Sequence, residues 1–209
     1  MNLRSWLQIV WLAVPFIAFG IGLHVYRNAW VALGLYHVLI LLVMLLHRRE
    51  WRFRDVFAGF RWGWALALTL GVIPLILGLV HLGEARGFGG PKLENGLARF
   101  GLTEQTRLWF VFYFCAINPV MEEVFWRRIL ARKTRLLTLD DVVFGAFPWL
   151  IVASLVSTWF AMALCAGLAT IGWFWRQLAV KTQGLSLPVL GHIAGDIAFC
   201  VILAALLTS

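Results

Sequence analysis

The sequence predicts an all-α fold, a polytopic transmembrane bundle of six or seven helices. Hydrophobic residues make up 62% of the 209 residues and charged residues only 13%. Soluble domains carry roughly a quarter charged residues, about twice this fraction. The chain also contains several apolar runs of about 20 residues, the length that spans a bilayer. The 12 Trp and 16 Phe residues agree with this prediction, because aromatic rings collect at membrane interfaces.

The predicted spans follow one another along the chain at 6–23, 29–46, 62–82, 108 to about 127, and 187–207, the last after a turn signal at 184–188. The apolar stretch 144–175 is too long for one ordinary span, so it is either one tilted helix or two segments broken near Gly167 and Gly172. The run 6–23 is long for the apolar part of a signal peptide and lacks a clear cleavage site. We therefore interpret it as a retained helix.

The basic residues predict how the chain is oriented. Segments 48–61 and 127–135 each carry five Lys or Arg residues and should both face the cytoplasm, with the N-terminus on the same side. Segment 83–106 is nearly balanced in charge, and its Gly87, Gly89, Gly90 and Pro91 predict a flexible cover on the outer face. Because the net charge of +8 lies in these short segments, it favours a membrane protein over a nucleic-acid binder. We expect a bacterial or archaeal plasma membrane.

Two clusters of ionisable residues fall inside predicted spans, and the first of them lies at the end of the fourth span. Ionisable residues within a span are expensive and are candidates for function. Glu123 and Arg127 are four residues apart and should pair on one helix face. Glu122 points about 100° away and has no such partner, since position 126 is Trp. It is therefore a candidate general base, unless both acids simply mark the end of the helix near the headgroups.

The second group lies in the last span. His192 and Asp196 also project from one helix face. Asp196 would orient the imidazole, or both would hold a water, an oxyanion or a metal; alternatively they form a polar pair that joins helices. The remaining intramembrane polar residues, including His37 and Asn118, are interpreted as isolated packing groups. Cys115, Cys165 and Cys200 lie in apolar stretches and predict neither a disulfide framework nor a thiolate metal site.

These two groups resemble motifs of the CPBP family, the CAAX proteases and bacteriocin-processing enzymes, which are intramembrane proteases of the glutamate type, sometimes described as metalloproteases. The first family motif, E-E-x-x-x-R, is similar to 122–127, with Pro119 three residues ahead. The last motif, H-x-x-x-N or H-x-x-x-D, is similar to 192–196. The middle motif, F-x-x-x-H, has its best match at 160–164, where Leu164 stands in place of the histidine. Segment 107–209 would be the family-like core of a single membrane domain over 1–209, and 1–106 would supply variable helices.

The resemblance implies an intramembrane endopeptidase that acts on membrane-associated or lipid-anchored protein or peptide substrates, surrounded by membrane lipids. Glu122 would activate a water, Glu123 would hold Arg127, and His192, positioned by Asp196, would bind the water or stabilise the oxyanion. No cofactor is certain, and a divalent metal such as zinc stays open. Two alternatives remain: an inactive relative that binds or scaffolds membrane proteins, and a proton-coupled transporter.

Overall fold

The computed structural model describes residues 3–85 and 90–208, and these residues form helices and connecting turns without any β-strand. The first span consists of three helical pieces in succession: α1 (Leu3–Leu12), α2 (Val14–Phe19) and a π-helical turn at Gly20–Val25. Pro15 lies in the first turn of α2, where a missing N–H costs little. Gly22 lies so close to Ala32 of the next helix that no side chain would fit there. The predicted span 6–23 is therefore present, but it is not a uniform helix.

Helix α3, Ala29–Leu46, coincides with the second predicted span. The side-chain oxygen of Asn28 accepts hydrogen bonds from the N–H groups of Trp30 and Val31 at 2.9 and 3.1 Å. This cap satisfies two backbone donors that a helix start leaves free. One face of α3, which includes Tyr36, is buried.

Three helices follow: the short α4 (Arg54–Phe57), α5 (Trp62–Ala85), which coincides with the third predicted span, and α6 (Gly90–Arg99). Gly87 and Gly89 of the predicted outer cover lie outside the described residues. From residue 90 onward the predicted flexible segment is instead helical. Leu93 and Leu97, one turn apart, are buried in the core and explain why a helix forms there.

Helix α7, Glu104–Val124, continues into a second π-helical stretch at Phe125–Leu130 and contains the fourth predicted span. The last helix, α11 (Ser186–Thr208), contains the final one. Gln183 precedes it in a left-handed conformation, with φ 55°, which ends the helix before it and turns the chain.

The stretch 144–175 is interrupted, as one of the two predicted alternatives required, but the predicted position of the break near Gly167 and Gly172 is wrong. Three helices cover this region: α8 (Leu139–Ala146), α9 (Trp149–Val152) and α10 (Thr158–Thr182). The break falls near Pro148, which has no N–H to donate, and at Ser157, which is extended ahead of α10. Gly167 and Gly172 both lie inside α10. Gly172 serves a close contact between helices and does not interrupt one.

Five helical stretches of the described residues are long and apolar enough to cross a membrane: Gln8–Val25, Ala29–Leu46, Glu104–Leu130, Thr158–Thr182 and Ser186–Leu207. Many large apolar side chains on these helices are exposed, among them Leu42, Leu45 and Trp109. Such a surface suits lipid and not water. The predicted all-α polytopic bundle is confirmed, while the total of six or seven spans stays a prediction.

The two basic segments lie at the same end of the bundle. Nη2 of Arg128, directly after the motif of α7, is 3.1 Å from Oδ2 of Asp55 in α4. The backbone N–H of Leu185, just before α11, donates to the carbonyl of Asp55 at 2.9 Å. Segment 48–61 is therefore attached to the ends of both helices that carry the candidate motifs.

Candidate active site

The two candidate glutamates lie side by side near the end of α7, and both are buried. The side chain of Glu122 is 4% exposed and that of Glu123 is 0% exposed. Directly after them the helix changes to π geometry, where Phe125 and Trp126 are completely buried. Single π turns often occur at functional sites. The two buried aromatic rings hold this end of the helix, so both carboxylates stay inside the protein.

Glu123 and Arg127 form an ion pair on one helix face. Nε of Arg127 donates to Oε2 of Glu123 at 3.2 Å, and both side chains are fully buried. The guanidinium carbon lies 4.5 Å from the ring centre of Phe144, and Nη1 lies 3.9 Å from Oδ1 of Asp141. A buried guanidinium needs charged partners to offset its desolvation. Glu123 supplies the nearest one.

His192 of α11 lies among three carboxylates. Its Nδ1 is 2.8 Å from Oε1 of Glu123. Its Nε2 is 3.6 Å from Oε2 of Glu122 and 3.6 Å from Oδ1 of Asp196. The short hydrogen bond of the imidazole therefore goes to a different helix and not to Asp196 one turn away. The residues singled out from the sequence are neighbours in space: Glu122, Glu123, Arg127, His192 and Asp196.

The orientation of the His192 ring follows from its partners. An ionised carboxylate only accepts hydrogen bonds, so Nδ1 carries the hydrogen that is donated to Glu123. Nε2 then faces Glu122 and Asp196 at distances too long for direct hydrogen bonds, and one water could contact all three groups. Phe144 packs edge-on against the imidazole, with ring centres 6.0 Å apart and planes at 89°. The ring is thus held on one side by a hydrogen bond and on another by packing.

His192 and Asp196 form the more open edge of the site. Their side chains are 10% and 13% exposed, compared with 4% for Glu122. The site is therefore less deeply buried on the α11 side than on the α7 side.

Two residues that the sequence analysis interpreted as isolated, His37 and Asn118, belong to this network. Nε2 of His37 lies 3.1 Å from Oδ1 of Asn118, and its Nδ1 lies 2.8 Å from the hydroxyl of Tyr113. The side chain of Asn118 also interacts with Asp196. His37 and Asn118 are 81 positions apart, so helical periodicity carries no information about their contact. The only signal in the sequence was that each is polar inside an apolar run.

Tyr36 was also missed, and it lies beside Glu122. Its hydroxyl accepts a hydrogen bond from Nε1 of Trp126 at 3.1 Å and interacts with the carboxylate of Glu122. Because the hydroxyl oxygen already accepts from Trp126, its own hydrogen is available to Glu122. Tyr36 is completely buried, so this contact is shielded from solvent.

An ionic cluster next to the site fixes the chain between α7 and α8. Nη2 of Arg176 is 2.6 Å from Oδ2 of Asp141, and both side chains are fully buried. Arg176 also donates to the backbone carbonyls of Arg132, Thr134 and Leu136. Burial tends to raise the pKa of Asp141, but hydrogen bonds from Arg176 and Thr138 outweigh it and hold the pKa below its ordinary value. Burial raises the pKa of the neighbouring Asp140 above its ordinary value.

Helix α10 approaches the site through Gly172, which carries no polar side chain. A methyl group on Gly172 would come within 2.7 Å of Cδ1 of Phe144 and 3.4 Å of Nη2 of Arg127. Leu164 is half-buried and lies eight residues earlier, about 12 Å along the helix axis.

The described residues do not form the zinc site that the resemblance left open. Among them, no group of three or more His, Cys, Asp or Glu side chains has an arrangement that could hold a metal ion. A separate apolar cavity of about 400 Å³ contains none of the five candidate residues and is lined by Phe16, Ala146, Trp149, Leu150, Met162 and Cys165.

The comparison with protein families matches the part of the chain that carries the candidate residues. Residues 104–198 match the model of the family described as type II CAAX prenyl endopeptidase Rce1-like. The match covers somewhat less than half of the chain and confirms the resemblance drawn from the motifs. No curated protein and no solved structure matches the chain.

At the family level, the Rce1-like match supports an intramembrane endopeptidase acting on membrane-associated peptides, and several long apolar helices agree with an integral membrane location. All five candidate site residues fall inside the Rce1-like region. Tyr36 and His37 do not, because they come from α3. The polar network therefore joins the family region to a helix outside it.

Proposed function

We propose that this protein is an intramembrane endopeptidase in which Glu122 is the general base that activates a water. One observation carries the proposal: Oε2 of Glu122 and Oδ1 of Asp196 both lie 3.6 Å from Nε2 of His192. Both carboxylate oxygens therefore lie near Nε2, and a water among them would donate to Glu122 and Asp196 while it accepts from Nε2 of the protonated imidazole. The family match of residues 104–198 supports the same class of reaction.

In the proposed reaction, Glu122 takes a proton from the water while the water oxygen bonds to the peptide carbonyl carbon. His192, protonated at both ring nitrogens, donates through Nε2 to the water oxygen before the attack and to the oxyanion after it. When the C–N bond breaks, the proton held by Glu122 passes to the departing amine. Glu123 stays ionised throughout, because it accepts hydrogen bonds from both Arg127 and His192.

The proposed substrates are membrane-anchored proteins or peptides, with leader peptides and sorting tails favoured over prenylated tails. We propose that the motif ends of α7 and α11 lie toward the cytoplasm, with the N-terminus on that side. The contact between Arg128 and Asp55 supports this orientation, since it joins the two basic segments at one end of the bundle. We further propose a single membrane domain over 1–209, in which 107–209 is the catalytic core.

The test is cleavage of a membrane-anchored reporter library by the purified full-length protein in lipid. Glu122→Gln keeps the size of the side chain and removes the base, so we expect a loss of about 10²- to 10⁴-fold in kcat. Glu104→Gln at the exposed start of the same helix is the matched control and should keep wild-type activity. Equal cleavage by wild type and Glu122→Gln would refute the proposal. Loss of wild-type activity in a chelator would show that a metal takes part.

The second candidate function is a binding protein that keeps this fold without hydrolysis, and Leu164 is the observation that favours it. No cleavage by wild type, together with activity gained in Leu164→His, would support an inactive relative. Cleavage by wild type that is lost in Glu122→Gln would exclude it.

A further inference from the structure

We propose that His37, acting through Asn118, is a positioning residue for Asp196 and His192. This inference rests on the proposed protease function but concerns a helix outside the Rce1-like region. Hydrogen bonds of 2.8 and 3.1 Å join Tyr113 to His37 and His37 to Asn118. Asn118 lies on α7 between the contacts of Cys115 with Cys200 and of Glu122 with His192, which places it beside Asp196 of α11. This chain of contacts ends at the face of His192 where the water is proposed to bind.

The direction of each hydrogen bond follows from the chemistry of the groups. The amide oxygen of Asn118 can only accept, so Nε2 of His37 must donate to it. In the neutral imidazole Nδ1 then accepts from the hydroxyl of Tyr113. With its oxygen occupied by His37, Asn118 turns its NH₂ group toward the carboxylate of Asp196. The opposite amide orientation would place oxygen against oxygen.

Burial restricts the hydrogen-bonding partners of His37 and Asn118. His37 and Asn118 are only 6% and 3% exposed, so neither can exchange its partner for bulk water. An unpaired polar group at such a position costs free energy, which favours one fixed arrangement over several. Asp196 Oδ2 has no hydrogen-bond partner and is itself buried. The amide of the neighbouring Asn118 is therefore the polar group whose orientation bears on which way this carboxylate points.

Helix α3 thus supports both carboxylates that face Nε2 of His192. Tyr36 reaches Glu122, and His37, stacked on Tyr36 with ring centres 5.9 Å apart, reaches Asp196 through Asn118. The network consequently contains a second imidazole although Leu164 stands in place of the family's middle histidine. That imidazole orients a carboxylate and does not contact the reacting water.

The test compares His37→Phe, His37→Gln and His24→Phe in the full-length protein in lipid. Phe keeps a ring of similar size without its nitrogens, so we expect kcat to fall about 10- to 100-fold with KM unchanged, as for other residues that orient a site through a second group. Gln can still donate to Asn118 and accept from Tyr113, so it should restore most of the activity. His24 is exposed on the π-helical turn, and His24→Phe should behave as wild type.

A second readout does not depend on cleavage. In protein carrying labelled histidine, the side-chain nitrogen resonances of His192 should shift in His37→Phe and return toward wild type in His37→Gln. If wild type cleaves nothing, the proposed function fails while this readout still tests the positioning. Unchanged His192 resonances in His37→Phe would overturn the inference. So would a His37→Gln variant as impaired as His37→Phe, since that would make the role of His37 one of packing.

Discussion

Nδ1 of His192 lies 2.8 Å from Oε1 of Glu123, a contact between residues 69 positions apart that joins the last helix to the acidic motif of α7. Because Glu123 already holds Arg127, one carboxylate fixes two functional side chains. Adjacent glutamates consequently have different surroundings. Glu123 is paired with a cation and buried completely, whereas Glu122 faces Nε2 of His192 and the hydroxyl of Tyr36.

This difference predicts unequal stability effects for the same substitution at neighbouring positions. Glu123→Gln leaves Arg127 buried without its ionised partner, and breaking such a pair costs about 3–5 kcal/mol. Glu122→Gln loses only the longer contact of 3.6 Å with Nε2 of His192 and should lower stability much less. Thermal unfolding in lipid should therefore show a much lower Tm for Glu123→Gln than for Glu122→Gln. Equal Tm values would mean that Glu123 does not neutralise Arg127.

Gly172 provides a test of the contact between α10 and the site. The methyl group of Gly172→Ala would press on the ring of Phe144 from 2.7 Å, and overpacking of this kind costs about 1–3 kcal/mol. Since Phe144 also packs against Arg127 and His192, we expect cleavage to fall together with Tm.

Gly167 in the same helix is the matched control. A methyl group there meets nothing within 4 Å, and Gly→Ala in a helix stabilises by up to about 1 kcal/mol. Gly167→Ala should therefore keep its activity and raise Tm slightly. Identical behaviour of the two alanine variants would contradict the close approach at Gly172.

The buried pair of Asp141 and Arg176 predicts acid sensitivity. The pKa of Asp141 is lowered in the folded protein, so its stabilisation is fully present above the unfolded value of about 3.9 and is lost as pH falls through the folded value. Asp141→Asn should lower Tm at neutral pH, and below about pH 4 the difference from wild type should shrink. Tm measured against pH checks both statements.

Asp55→Asn is the control for this pH experiment. Its partner Arg128 is 33% exposed, and exposed ion pairs contribute about 0–1 kcal/mol. We expect only a small change in Tm at any pH. A loss as large as that of Asp141→Asn would show that exposure does not separate the two pairs.

The packing of α7 on α11 predicts selective oxidation of the thiols. Sγ of Cys115 lies 3.8 Å from Sγ of Cys200, and all three cysteines are free. A mild membrane-permeant oxidant should link Cys115 to Cys200 and leave Cys165 reduced, as thiol counting and peptide mapping would show. A link that includes Cys165 would contradict this helix arrangement. Cys115→Ser should abolish the reaction.

The sequence by itself determined the features that depend only on residues close together in the chain. Apolar length predicted the spans, with α3 found at the predicted bounds, and spacing of four residues predicted the pair of Glu123 and Arg127. Both depend only on the rise and periodicity of a helix. The E-E-x-x-x-R and H-x-x-x-D patterns likewise led to the family before any contact was known.

Only the tertiary structure decided the contacts between helices, because these depend on how the helices cross. It placed the break in 144–175 near Pro148, with Gly172 as a packing contact. It also paired His192 with Glu123, and brought His37 to Asn118 across 81 positions. A helical repeat specifies which residues share a face, but not which face of another helix that face meets. That choice depends on the shapes and hydrogen-bonding needs of side chains far apart in the chain, and these act only once the bundle has packed.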